Sequence, residues 1–140
     1  MTVMARRWAV YLWALPTTAL GALLVGAGLV TGARASVVGG VLEAHGGALD
    51  LMLRRLVPLR GGASAMTLGH VVVARDAGCL ERTRRHERVH VRQGERWGPL
   101  FVPAYLVAAL AVAARGGHYY RDHPFEREAM RVDTADMAHR

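Results

Sequence analysis

The stretch "RRHERVHVRQ", residues 84–93, decides how the rest of the chain is read. Within it His86, Glu87 and His90 spell H-E-x-x-H. On an α-helix, residues four apart share a face, so His86 and His90 project side by side within reach of one tetrahedral ion. Glu87 then flanks that ion, where a carboxylate can orient water and take its proton. Gln93, seven positions after His86, returns to the same face. The spacing thus offers two zinc ligands, a base and a polar neighbour on a single helix.

The flanking sequence supplies that helix. Asp76 is a plausible N-cap for "DAGCLERTRRHERVHVRQGERWG", and Gly98-Pro99 is a stop. Before it, "AMTLGHVVVAR", residues 65–75, is β-branched and bounded by loop signals, which predicts a strand. "ASVVGGVLEAHGGALDLML" has paired glycines at 39–40 and 46–47, which predict a β-hairpin or a strand with turns, leading into an amphipathic piece that ends near Pro58. His45 is expected in a turn and His70 in a strand, with no metal spacing around either. The tail from His118 begins as a loop and becomes a helix after Pro124, a residue suited to a first helical turn.

The apolar segments point to a membrane. Residues 8–32 carry no charge and would extend about 37 Å as a helix, enough to cross a hydrocarbon core of roughly 30 Å. Arg6 and Arg7 precede this run, Arg34 follows it, and Trp8, Tyr11 and Trp13 sit where an interfacial aromatic belt belongs. Pro16 is a site for a kink, and Gly28 and Gly32 form G-x-x-x-G. A cleaved signal peptide ending at "ARA", residues 33–35, is the rival reading, but the run exceeds an ordinary signal core of about 7–15 residues. The expected division is an anchor over residues 1–35 and a small domain over 36–140. A second uncharged run, residues 99–114, would be about 24 Å long, short for a full span. It suits a short span, a membrane-dipping helix or a buried core helix.

All eighteen basic residues are arginines and the net charge is +7. They are scattered between apolar segments without an aromatic stacking platform, so charge flanking a membrane fits better than nucleic-acid binding. Cys79 is the single cysteine, so neither an internal disulfide nor a cysteine-rich zinc knuckle is available and a metal must be held by His, Asp and Glu. A catalytic zinc requires a third protein ligand and an open position. The tail offers Glu126 and Glu128 at a helix start, with His118, Asp122 and His123 on the loop before it. His118, Tyr119 and Tyr120 are candidate donors to a developing oxyanion, or else residues of an aromatic interface.

"HERVHVRQ" followed by "FEREA" resembles the minimal gluzincin-type zinc metallopeptidases of bacteria, in which the Glu of a later E-x-x-A-[DN] motif completes the site. The resemblance covers roughly residues 64–132. It implies an α+β, helix-rich fold in which a transmembrane helix precedes a small zincin-like domain with a short sheet. It implies Zn2+ held by His86, His90 and Glu126, with Glu128 the second choice of third ligand and Glu87 the general base. "TLGHVVVA" looks like the edge strand that aligns extended substrate in zincins. Met130 stands where the motif carries Asp or Asn, leaving Asp122 or Asp133 to support a histidine.

The expected function is peptide-bond hydrolysis on a peptide or protein substrate, at the inner membrane of a bacterium, in contact with its lipids. Charge balance puts the site in the cytoplasm, whereas an uncleaved signal anchor puts it outside. The alternative is a non-catalytic membrane protein whose arginine-rich helix binds anionic lipid or a protein partner, with or without structural zinc. One topological condition follows. If residues 99–114 span fully, His86 and His90 face one side of the membrane and Glu126 the other, and no shared ion is possible.

Overall fold

Two hairpins supply the strands. Arg34–Val38 (β1) and Val41–His45 (β2) turn at Gly39 and Gly40, both at positive φ. Ala65–Leu68 (β3) and Val71–Ala74 (β4) turn at Gly69 and His70. The computed structural model describes residues 2–138; Met1 and residues 139–140, the extremities of the two expected segments, lie outside it. The strands form one mixed sheet in the order β1-β2-β4-β3, with β2 and β4 parallel and paired Leu42 to Val71 through His45 to Ala74. The connection between them includes the helix Ala48–Arg55 (α3), which buries Leu49 and Leu53.

The expected single strand over 65–75 is therefore a tight hairpin. Gly69 adopts φ +61°, and a Cβ there would lie 2.7 Å from the Thr18 backbone nitrogen, so only glycine fits. His70 consequently sits in the turn and His45 on a strand, the reverse of the expectation.

β4 is buried on both faces, and its alternation builds two cores. Val71 and Val73 pack with Ala44, Leu49, Leu53, Val25 and Ala33. Val72 and Ala74 pack on the other side with Val41, Cys79, Leu80 and Val91. Helices thus cover both faces of a short sheet, an α+β and helix-rich architecture.

The N-terminal apolar run is not one straight helix. Val3–Trp13 (α1) and Leu15–Val30 (α2) meet at 67° around Ala14, where Pro16 opens α2. Proline removes a backbone donor and crowds the preceding turn, so a sharp bend falls there. The buried residues of α2 are Thr17, Gly21, Val25 and Gly28, one stripe at helical spacing laid against the sheet and α3. Gly28 packs on Leu49 within the same chain, and Gly32 lies beyond the helix end at φ +93°. No packing boundary falls at residue 35, because Val25 and Ala33 share a core with the sheet.

Ala77–Trp97 (α4) begins at the Asp76 cap, whose carboxylate accepts from the Cys79 backbone N–H at 2.7 Å. It ends at Gly98, where φ is +57° and a Cβ would collide with the Trp13 indole. A 3-10 turn, Gly98–Leu100, leads into Phe101–Ala114 (α5), then Tyr119–Asp122 (α6) and Pro124–Met137 (α7), which returns along α4. By length and composition, the helical run Ala77–Ala114 is the one helix among the described residues apolar enough to cross a membrane; the bent pair α1 and α2, taken together, passes the same test. Within that run the charge-free part is 97–114.

Candidate metal centre

α4 carries three working faces, set by its 3.6-residue repeat. One turns His86, His90 and Gln93 toward α7. A second presses Glu87 toward the edge strand β3. The third sends Arg84 and Arg88 to the buried carboxylate of Glu43 on β2, at 3.0 and 2.7 Å.

His86, His90 and Glu126 converge, their ligand-type atoms all within 4.8 Å of one another. His86 Nε2 lies 2.9 Å and His90 Nε2 3.3 Å from the Glu126 carboxylate, and the two Nε2 atoms are 3.3 Å apart. His90 and Glu126 are buried, and His86 is partly covered.

The opposite ring nitrogens decide whether this set suits a metal. His86 Nδ1 is 3.1 Å from Asp133 Oδ2, and His90 Nδ1 is 2.8 Å from Gln93 Oε1. The Gln93 amide nitrogen donates to Phe125 O at 3.0 Å and Glu128 Oε2 at 2.9 Å, which leaves its oxygen facing His90. Both Nδ1 atoms therefore act as N–H donors to acceptors, so that each Nε2, once it gives up any proton, offers its lone pair to a common centre. Two neutral imidazoles, one carboxylate and outer acceptors on each ring fit a divalent zinc with a position left for water or substrate.

The electrostatics agree with the packing. Burial opposes charge on His86, but the hydrogen bond and charge of Glu126, with Glu87 and Asp133, outweigh it and hold the imidazole up to about 9. His90 is raised against the same burial by Glu126, Glu87 and Gln93. Burial pushes up on Glu126 too, yet its two histidines and the Tyr105 hydroxyl hold it well below the usual carboxylate range. Glu87 moves the other way. Its enclosure pushes the carboxyl up, only partly offset by His90, by a 2.6 Å hydrogen bond from Thr67 and by His86. A carboxyl raised by burial beside a cationic centre is suited to accept and return a proton.

Among the candidates from the tail, Glu126 joins the two histidines and Glu128 does not. Glu128 instead bonds Gln93 and pairs with Arg96. Asp133, not Asp122, stands behind His86, and Asp122 accepts from the backbone of His118 at 2.6 Å. Asp133 follows Glu126 by seven positions, two helical turns, which brings it back to the α4 side in place of the absent partner at Met130. His118 is an exposed cap of α6 and Tyr120 is 41% exposed. Tyr119 reaches the site through its hydroxyl contact with Tyr105.

Tyr105 and Thr67 are the residues the sequence reading did not place at the site. The Tyr105 hydroxyl donates to Glu126. Its ring lies in a cluster with Phe101, Phe125 and His123. Its single signal is position, the only polar side chain inside the uncharged run 99–114. Residues 99–114 also meet the topological condition, because α5 turns back at Gly116-Gly117 and α7 brings Glu126 to His86 and His90. The arginines on which the alternative rested are largely engaged within the fold, Arg84 and Arg88 with Glu43, Arg96 with Glu128 and Arg82 with Cys79.

Comparison with known proteins adds no identity: no family model, curated protein or solved structure matches the chain.

Proposed function

We propose that this protein is a membrane-associated zinc metallopeptidase of the minimal gluzincin type. The observation that carries the reading is the meeting of His86, His90 and Glu126 at one point, with each imidazole backed by its own acceptor. Those three residues hold the ion, and bound zinc supplies Lewis-acid polarisation of a scissile carbonyl and acidification of water. Glu87 accepts the proton from the attacking water and delivers it to the leaving amine. Thr67 holds the Glu87 carboxylate in place. β3, at the edge of the sheet and beside α4, offers free backbone groups to which an extended substrate adds as a further strand. Tyr105 holds the Glu126 carboxylate through its hydroxyl, and the Tyr119 hydroxyl stands behind that of Tyr105.

The test is metal analysis and peptide hydrolysis on detergent-purified protein. Wild type should carry one zinc, lost in His86→Ala, His90→Ala and Glu126→Ala. Glu128→Ala should keep it, and Glu87→Gln should keep zinc while losing hydrolysis. Wild type that stays free of metal after metal-replete purification refutes the reading.

A further inference from the structure

Resting on the peptidase reading, we propose that the site acts at the surface of a lipid bilayer, on peptide bonds in the segment that flanks a substrate's own transmembrane helix. The argument begins with α5. It is apolar on all sides, the pattern of a helix buried in a core or in lipid. Yet only Phe101 and Val112 of its fourteen residues are buried. Pro103, Leu106, Val107, Leu110, Ala113 and Ala114 are exposed, and their spacing makes one continuous stripe.

α2 repeats the pattern inside out. Its small residues face the sheet, while Leu20, Leu23, Leu29 and Val30 are 50–88% exposed. Water favours the reverse arrangement; lipid tails do not penalise it, and small residues permit the close packing seen at Gly21 and Gly28. α1 adds exposed Trp8, Leu12 and Trp13, with Arg6 and Arg7 at its start. Arg115 closes α5, and Arg121, Arg127 and Arg131 line a cavity of about 520 Å3 between α6 and α7, with no acidic partner among the described residues. Apolar helices bordered by arginines match a bilayer and its phosphate headgroups. The arginines of α4 keep that helix outside the hydrocarbon.

The depth of the site follows. Tyr105 touches Glu126, and the next residue, Leu106, belongs to the exposed apolar stripe. The centre thus lies within about one helix diameter, roughly 10–12 Å, of the hydrocarbon. The polar layer of a bilayer is only roughly 5–8 Å thick on each side. A scissile bond must come to the headgroup surface to be cut. There water's oxygen joins the carbonyl carbon, the C–N bond breaks, and the proton passes to the departing amine. A substrate held by its own membrane helix is already concentrated there, whereas a free peptide must partition first.

The test uses zinc-loaded wild type in vesicles of phosphatidylcholine and phosphatidylglycerol. A library of unstructured sequences is presented three ways: fused to a single membrane helix through a spacer of about 5 residues, fused through about 20, and free in solution. The short-spacer form should be cut at least about 100-fold faster than the free form, with the long spacer between them. Equal cutting of free and fused sequences overturns the substrate class and leaves the peptidase intact. Zinc-loaded protein that cuts none of the three faster than Glu87→Gln overturns the peptidase reading and the inference with it. A readout without turnover tests the placement by itself, using fluorophores at Leu110 and Tyr120. Leu110 should be quenched by acyl-chain nitroxides and Tyr120 by headgroup nitroxides; a Tyr120 label quenched by neither overturns it.

Discussion

Zinc loading should be coupled to proton release more strongly than two ordinary histidines allow. Zinc takes a neutral imidazole, but Glu126 holds His86 up to about 9, so at pH 7 that ring is protonated in about 99% of molecules. Displacing its proton lowers the apparent affinity about 100-fold at pH 7, equivalent to about 2.7 kcal/mol. Each further pH unit downward costs about another factor of ten, and more once His90, also raised, contributes. Between pH 8 and 6 the affinity should therefore fall at least about 100-fold. Competition against a chromophoric chelator of known pH dependence measures this, and an indicator in weakly buffered solution counts the protons. Between about one and two protons should appear per zinc at pH 7. Two histidines at the ordinary value of about 6.5 would release only about half a proton together. A release near that smaller figure, or an affinity nearly flat from pH 8 to 6, would refute the coupling of His86 to Glu126.

The same shifts set the stability of chelator-treated protein. His86, raised from 6.5 to about 9, contributes stability that is complete below 6.5 and lost as pH rises toward 9. Glu126, lowered from 4.5, contributes stability present above 4.5 and lost as pH falls below it. Urea unfolding across pH should accordingly place the optimum between 4.5 and 6.5. Asp133→Ala removes the acceptor behind His86 and should weaken zinc binding about 10–100-fold with an unchanged circular dichroism spectrum. Gly21→Ala places a methyl group 2.7 Å from Val71 Cβ and should destabilise by about 1–3 kcal/mol. Gly26→Ala, with nothing within 4 Å, should stabilise by up to about 1 kcal/mol, and thermal melts of the pair separate packing from helix propensity. Glu43→Gln leaves Arg84 and Arg88 without their buried counter-charge and should destabilise by about 2–4 kcal/mol, measured by the same melts.

Local chemistry was legible in the sequence wherever one segment decides its own geometry. H-E-x-x-H sets two imidazoles on one helical face because the repeat is 3.6 residues, and Asp76 and Gly98 bound that helix by satisfying or ending its backbone bonds. The first hairpin, the amphipathic α3 and the helix after Pro124 follow from signals of the same short range. The hairpin at Gly69 escaped because a valine-rich run looks like one strand until the close approach of Thr18 is known. Tertiary structure alone decided what meets across long separations. It set α2 on the sheet, turned α5 back so that Glu126 reaches α4, and chose Asp133 to stand behind His86. It also gave Tyr105 a carboxylate partner and enclosed Glu43 between two arginines. Sequence spacing fixes direction around one helix axis, whereas the choice of partner depends on how separate helices are placed, and no local pattern encodes that placement.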